Sequence, residues 1–178
     1  MENETPGVTR KLSFFCACCL LLAVCLVAAS CGYRMTGSRL LPFNSITIKP
    51  VINKTYEPGL EESLHNALAG EFINQGIEVR ASGGDVELEA TVTSFLLGAV
   101  GSVDGIVKEQ EIIMTVDIKL TDNGRVTEFR EMRSPIKITF QSTGTVSESA
   151  AHKETATDKA SREIAKEIVS RVIMRYAK

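Results

Sequence analysis

From residue 45 onward the spacing of apolar residues changes period several times, and each change marks an element. Ile46, Ile48 and Val51 alternate with polar neighbours, which predicts a strand over Ser45–Ile52 with one buried face, confined to an edge or ended by Pro50. A three- and four-residue spacing follows: Leu60, Leu64, Ala67, Leu68 and Phe72 predict a helix from Pro58 to about Gln75. Pro58 suits its first turn, Glu61 and Glu62 suit its positive end, and Gly76 supplies a stop. Beyond Ile77–Arg80 and a Ser82-Gly83-Gly84 turn, Val86, Leu88, Ala90 and Val92 alternate with Glu87, Glu89, Thr91 and Thr93.

The strongest strand signal runs from Val107 to Leu120, with Ile112, Met114, Val116, Ile118 and Leu120 on one side and Glu111, Thr115, Asp117 and Lys119 on the other. Asp122-Asn123-Gly124 has the chemistry of a tight hairpin turn, since Asn and Gly tolerate positive φ, and Val126–Arg133 supplies the returning strand. After Pro135, Ile136, Ile138 and Phe140 alternate again, as one bent strand with the last or as a separate one. Thr145-Val146-Ser147-Glu148 fits a capping box. The helix it opens carries Ala160, Ile164, Ala165, Ile168, Val169, Val172, Ile173 and Tyr176 in one stripe, with basic residues in its last turns.

Two one-faced helices and a one-faced sheet satisfy one another if both helices cover the same side. The expected fold is therefore an α+β two-layer sandwich, a mostly antiparallel sheet of about four strands with two helices on one face. The other face, bearing Glu87, Glu89, Thr91, Thr115, Asp117 and Lys119, stays polar. Gly98, Gly101 and Gly105 read as a hairpin loop joining two strands.

The front of the chain follows different rules. All five cysteines fall within the first 31 residues, and residues 12–29 carry no charge after Arg10 and Lys11. Ala28, Ala29 and Ser30 then precede Cys31. This is the layout of a signal peptide, and small residues directly before a cysteine resemble the bacterial lipobox. The expected organisation is a leader over 1–30, a lipidated tether over 31–44 with lipid on Cys31, and one domain over 45–178. An uncleaved anchor is the alternative, because the apolar stretch is close to the roughly 20 residues that span a bilayer. With the leader removed, Cys31 is the sole cysteine, so the domain forms no internal disulfide and depends on its core.

Charge and chemistry narrow the function by exclusion. The formal charge is −2 and Trp is absent, which argues against nucleic acid held by bulk electrostatics or base stacking. His65 and His152 are far apart in sequence and neither is placed for a nucleophilic triad or a zinc site, so no metal or cofactor is expected. Glu61-Glu62 opens a helix and Glu87 with Glu89 lies on an exposed strand face, so neither pair suggests acid–base work. The reading is not an enzyme. Basic residues near strand and loop ends, Lys108, Arg125, Lys137 and Lys153, suit phosphate groups by charge-assisted hydrogen bonds, or serve solubility alone.

Three segments carry a family resemblance: Cys31-Gly32-Tyr33-Arg34-Met35, the central strand Glu109 to Val116, and the final helix with Glu163, Ile164, Ile168 and Arg171. Together with the order of elements they resemble the lipopolysaccharide-assembly lipoprotein family, LptE, the outer-membrane partner of the barrel protein LptD. The resemblance implies a lipid-anchored protein on the periplasmic side of the outer membrane. Gly32, in place of the Asp that often retains lipoproteins in the inner membrane, fits that destination. It further implies a plug in the LptD lumen that helps the barrel assemble and contacts lipopolysaccharide. Relatives place a basic residue in the loop before the central strand, where this chain has Val103 and Asp104; Lys108 is the substitute, and Lys153 is the second contact carried over. The competing reading is an envelope lipoprotein that activates a periplasmic enzyme or scaffolds another envelope complex.

Overall fold

The computed structural model describes residues 42–134 and 137–176. The leader, Cys31, the tether before Pro42, and Ile136 of the expected alternation lie outside the described residues. The elements in chain order are β1 (Ser45–Ile48), β2 (Ile52–Asn53), α1 (Leu60–Asn74), β3 (Glu78–Arg80), β4 (Val86–Val103), β5 (Ile106–Asp122), β6 (Arg125–Arg133), β7 (Ile138–Gln141) and α2 (Val146–Tyr176).

Both helices end as their sequences dictate. Gly76 adopts φ 79°, and the Ile77 and Gly76 amides donate to the Phe72 and Ile73 carbonyls at 3.0 and 2.9 Å, which satisfies the last turn of α1. At the start of α2 the Thr145 hydroxyl accepts from the Glu148 amide at 3.2 Å, while the Glu148 carboxylate accepts from the Thr145 amide at 2.7 Å. The helices lie side by side, tied by the Ser63 hydroxyl donating to Asp158 at 2.9 Å. Leu60, Leu64, Leu68 and Phe72 of α1 and Ile164, Ile168, Val169 and Val172 of α2 meet Val86, Leu88, Val92, Val116, Ile118 and Leu120 in one core.

The sheet differs from expectation. It has seven strands and is mixed, in the order β3-β1-β4-β5-β6, with β2 beside β4 and β7 beside β5. β1 lies parallel to both β3 and β4, while β4, β5, β6 and β7 pair antiparallel. Strands of two to four residues are too short to reveal a period, and parallel neighbours leave no turn signal, so alternation alone underestimates the sheet. β6 and β7 are separate strands.

The strand expected over Ser45–Ile52 is broken at Pro50 into β1 and β2, and β1 is buried on both faces. The chain leaving β3 must cross over β1 to start β4, and residues 81–85 do so in contact with it. A Cβ at Gly84 would stand 2.6 Å from the Thr47 amide nitrogen and 2.7 Å from the Ile46 carbonyl carbon, so only glycine permits the crossing. The polar groups beneath are satisfied by the same loop. Thr47 Oγ1 accepts from the Gly84 amide at 2.9 Å, Ser45 Oγ from the Asp85 amide at 3.1 Å, and the Asp85 carboxylate accepts the Asn44 and Ser45 amides at 2.9 and 3.0 Å.

Of the glycines read as a loop, Gly98 and Gly101 are in a strand and only Gly105 is in a turn. β4 runs on to Val103 and turns through Asp104-Gly105, both at positive φ (52° and 76°), straight into β5. This is the two-residue turn that Asp-Gly favours, and it converts the expected loop into the distal half of a hairpin spanning about 55 Å at roughly 3.3 Å per residue.

The amide of Asn44, then the side chain and amide of Ser45, hold the Asp85 carboxyl below its usual pKa. A depressed pKa stabilises the fold above the unfolded value near about 4, and that contribution vanishes as pH falls through the folded value. Asp85→Asn is expected to lower the melting temperature at neutral pH, with the gap to the parent closing below about pH 4. Calorimetry across that range checks it; a gap that ignores pH refutes it.

Candidate functional site

The described fold has two ends. The chain enters at Phe43, buried against Tyr176 with ring centroids 4.9 Å apart, beside Asp122 and Arg125 of the β5–β6 turn. Residue 43, read as tether, thus already lies within the core. The Asp104-Gly105 turn stands at the other end of β5, roughly 50 Å away at about 3.3 Å per residue.

Lys108 and Lys153 both lie toward that distal end, in different settings. The Lys108 carbonyl accepts from the Ser142 amide at 2.9 Å, which ties the strand just past the hairpin turn to the lead-in of α2. Among the described residues no carboxylate lies within ion-pair distance of its ammonium. Lys153, by contrast, is bound within the protein. Its ammonium donates to Glu57 at 2.7 Å and stands 6.0 Å from the centroid of the Phe95 ring. Asn53 presents Glu57, since its side-chain amide donates to the Glu57 carbonyl at 2.7 Å and its carbonyl oxygen accepts from Thr55. Lys153 therefore joins the loop before α1 to α2 and to the root of the hairpin. An anion reaching it must displace Glu57.

Around this pair lies a cleft of about 590 Å³ between the helix starts, lined by Glu57, Glu62, Ser63, Glu154 and Asp158 with Lys153. Its carboxylates disfavour phosphate. A second groove, about 340 Å³ and mostly apolar, runs between β7 and α2 past Ile138, Phe140, His152 and Ala156. His152 Nδ1 lies 3.2 Å from the Gln141 carbonyl, whereas His65 is partly buried and its Nδ1 has no hydrogen-bond partner among the described residues. Among the described residues no three His, Cys, Asp or Glu side chains converge as a metal site. Among them, too, no helix is long and apolar enough to cross a membrane.

The polar sheet face is ordered by cross-strand ion pairs: Lys49–Glu87 at 3.1 Å, Lys119–Glu89 at 3.2 Å and Lys137–Glu111 at 3.1 Å. The sequence reading missed the distal apolar residues, Leu96, Leu97, Val100, Val103 and Ile106, all substantially exposed. Asp104-Gly105 between apolar flanks was the signal that places them on strands.

A two-helix layer on one face of a mixed seven-stranded sheet defines an α+β fold that solved structures share. The fold is similar to rare lipoprotein B from Shewanella oneidensis, at 14% identity and TM-score 0.54 over 74% of this chain and 96% of that one. It is also similar to a Caulobacter crescentus protein described as a lipoprotein, at 18% identity and TM-score 0.52 over 73% of this chain and 90% of that one. No curated protein matches in sequence. Residues 43–172 match the lipopolysaccharide-assembly family LptE, and the chain belongs to that family. Membership gives it a role in lipopolysaccharide assembly.

The two lysines are separable by stability. Lys153→Met is expected to lower the denaturation midpoint by breaking a half-buried pair and stranding Glu57, while Lys108→Met leaves it within about 0.5 kcal/mol of the parent. Urea titration of both variants is the check.

Proposed function

We propose that the protein is anchored to the periplasmic leaflet of the outer membrane by acyl chains on Cys31, plugs the lumen of the LptD β-barrel, and assists that barrel's assembly. Family membership supports the role, and one structural observation supports the plug: the uncovered sheet face is polar and ion-paired from Lys49 to Arg130. The lumen of a wide barrel is polar and water-filled, so its occupant needs this kind of surface. The dimensions also suit. With the tether entering at Phe43, the hairpin turn stands far enough away to span the roughly 25 Å apolar band of a barrel. Anchoring by two or more chains is stable because each buried CH₂ contributes about 0.8 kcal/mol.

Lys108 is the better-placed lipopolysaccharide contact, lying near the hairpin tip with no carboxylate within ion-pair distance among the described residues. Lys153 contributes by fixing the hairpin root, and directly only if phosphate exchanges with Glu57. Activation of a periplasmic enzyme or scaffolding of another complex is the competing reading, which no feature of the site favours.

Co-purification decides between them: tagged protein from envelopes is expected to bring down a large outer-membrane barrel, and recovery of a periplasmic enzyme without any barrel would sink the plug. In the same strain Cys31→Ala is expected to move the protein to the soluble fraction, and Lys108→Glu to weaken lipopolysaccharide binding severalfold more than Lys153→Met. Retention in the membrane, or unchanged binding by both, refutes the corresponding assignment.

A further inference from the structure

At the end of the domain where the chain enters, a cleft of about 390 Å³ is rimmed by Pro42 and lined by Asp122, Arg125, Arg175 and Tyr176. Its two guanidiniums come from elements distant in sequence, the start of β6 and the last turn of α2. Both arginines are exposed, and among the described residues neither lies within ion-pair distance of a carboxylate. A basic residue in a last helical turn is explained by the helix dipole, but that accounts for Arg175 alone. Arg125 stands directly opposite Asp122 across the β5–β6 turn, where a cross-strand ion pair is the ordinary outcome. Instead the Asp122 carboxylate accepts from the Asn123 side-chain amide at 2.9 Å and faces the Tyr176 hydroxyl, so Arg125 is left free. The other clefts bring no such pair together. Between the helix starts the one cation is Lys153, already held by Glu57, and the groove beside β7 has Lys159 as its one ammonium.

The place of the cleft says which anion meets it. Pro42 follows Cys31 by eleven residues, so at no more than about 3.6 Å per residue the rim stays within about 40 Å of that cysteine. From Cys31 to Asn44 the tether carries Arg34 and Arg39 and no acidic residue. The ring of Tyr176, packed edge-on against Phe43, gives the cleft a fixed wall of the amphipathic kind that favours a membrane–water boundary. Val126 and Met174, next in sequence to the two arginines, are 55% and 57% exposed, as suits side chains that settle among headgroups.

We propose that this cleft binds the phosphodiester headgroup of an anionic phospholipid in the anchoring leaflet, with Arg125 and Arg175 on the phosphate oxygens through charge-assisted hydrogen bonds. The inference rests on acylation of Cys31, which brings the leaflet within reach. The acyl chains hold the protein at the membrane, and the cleft sets which end of the domain faces it. Lys108 lies toward the opposite end, so a phospholipid here does not contend with lipopolysaccharide there.

The test uses the full protein purified from membranes in nonionic detergent, titrated with the water-soluble lipid dihexanoyl phosphatidylglycerol and followed by native mass spectrometry. A saturable one-to-one adduct is expected, weakened at least tenfold by Arg125→Gln with Arg175→Gln. The charge-matched pair Arg133→Gln with Arg162→Gln, both exposed and without an ion pair among the described residues, is expected to change it less than twofold. Dihexanoyl phosphatidylcholine and inorganic phosphate are each expected to bind at least fivefold more weakly. Where the first glutamine pair melts early, Arg125→Lys with Arg175→Lys decides, keeping the adduct if the proposal holds and losing it if not. Absence of the adduct, equal loss in the two glutamine pairs, inorganic phosphate binding as tightly as the lipid, or tighter lipopolysaccharide binding that Arg125→Gln with Arg175→Gln abolishes each overturns it. The same spectra give the intact mass and hence the acyl chains on Cys31, so a failed anchor and a failed cleft are told apart.

Discussion

The β4–β5 ladder is the constraint to which the other elements conform. From Val86 opposite Asp122 to Val103 opposite Ile106, one antiparallel ribbon runs the length of the domain. Its proximal half supplies the floor of the core, and among the described residues its distal half has only β7 as a further strand neighbour, along Glu109 to Ile112 of β5. A ribbon of two strands is marginal in water by itself, so the distal half is ordered by its neighbours: β7 against β5, the Ser142 amide on the Lys108 carbonyl near the tip, and Lys153 between Glu57 and Phe95 at the root.

The bulge at Thr93 governs how that ribbon is used. Up to Val92 the even-numbered residues of β4 face the helices; beyond the bulge the odd-numbered residues do, so Phe95 falls on the core side and Leu96 on the other. Without the extra residue, Leu96 would reach the helix side and Phe95 the polar one. The bulge thus anchors the hairpin root with an aromatic ring, and Lys153 settles over that ring. This explains why a lysine that looks free in sequence is a tie in the structure.

Much of this was legible in advance where the signal is local and repeated. The apolar stripes of α1 and α2, the Thr145–Glu148 capping box, Gly76 and the Asn123-Gly124 turn all act within a few residues of themselves, and each stands as read. What escaped is non-local. Nothing near Ser45 or Thr47 announces that residues 81–85 will cover them, and two- to four-residue parallel strands acquire identity only from their neighbours. Three glycines with a Val-Asp-Gly-Ile segment among them hid a strand pair, because glycine density outweighed the turn that Asp-Gly specifies. The site followed the same division. The type of residue at Lys108 and Lys153 was readable, but the partner that distinguishes them, Glu57, lies 96 positions from Lys153.

The surfaces that remain differ in what they can receive. On the polar sheet face the long side chains already satisfy one another, so a partner there gains little from new ion pairs and is accommodated chiefly by shape and water, as the wall of a polar lumen would be. Beyond Val92 the outer edge of β4 is the opposite case: its side chains carry no charge to pair, and among the described residues its backbone pairs with β5 alone. A face of the first kind tolerates a range of polar walls, whereas an edge of the second kind demands a strand in register.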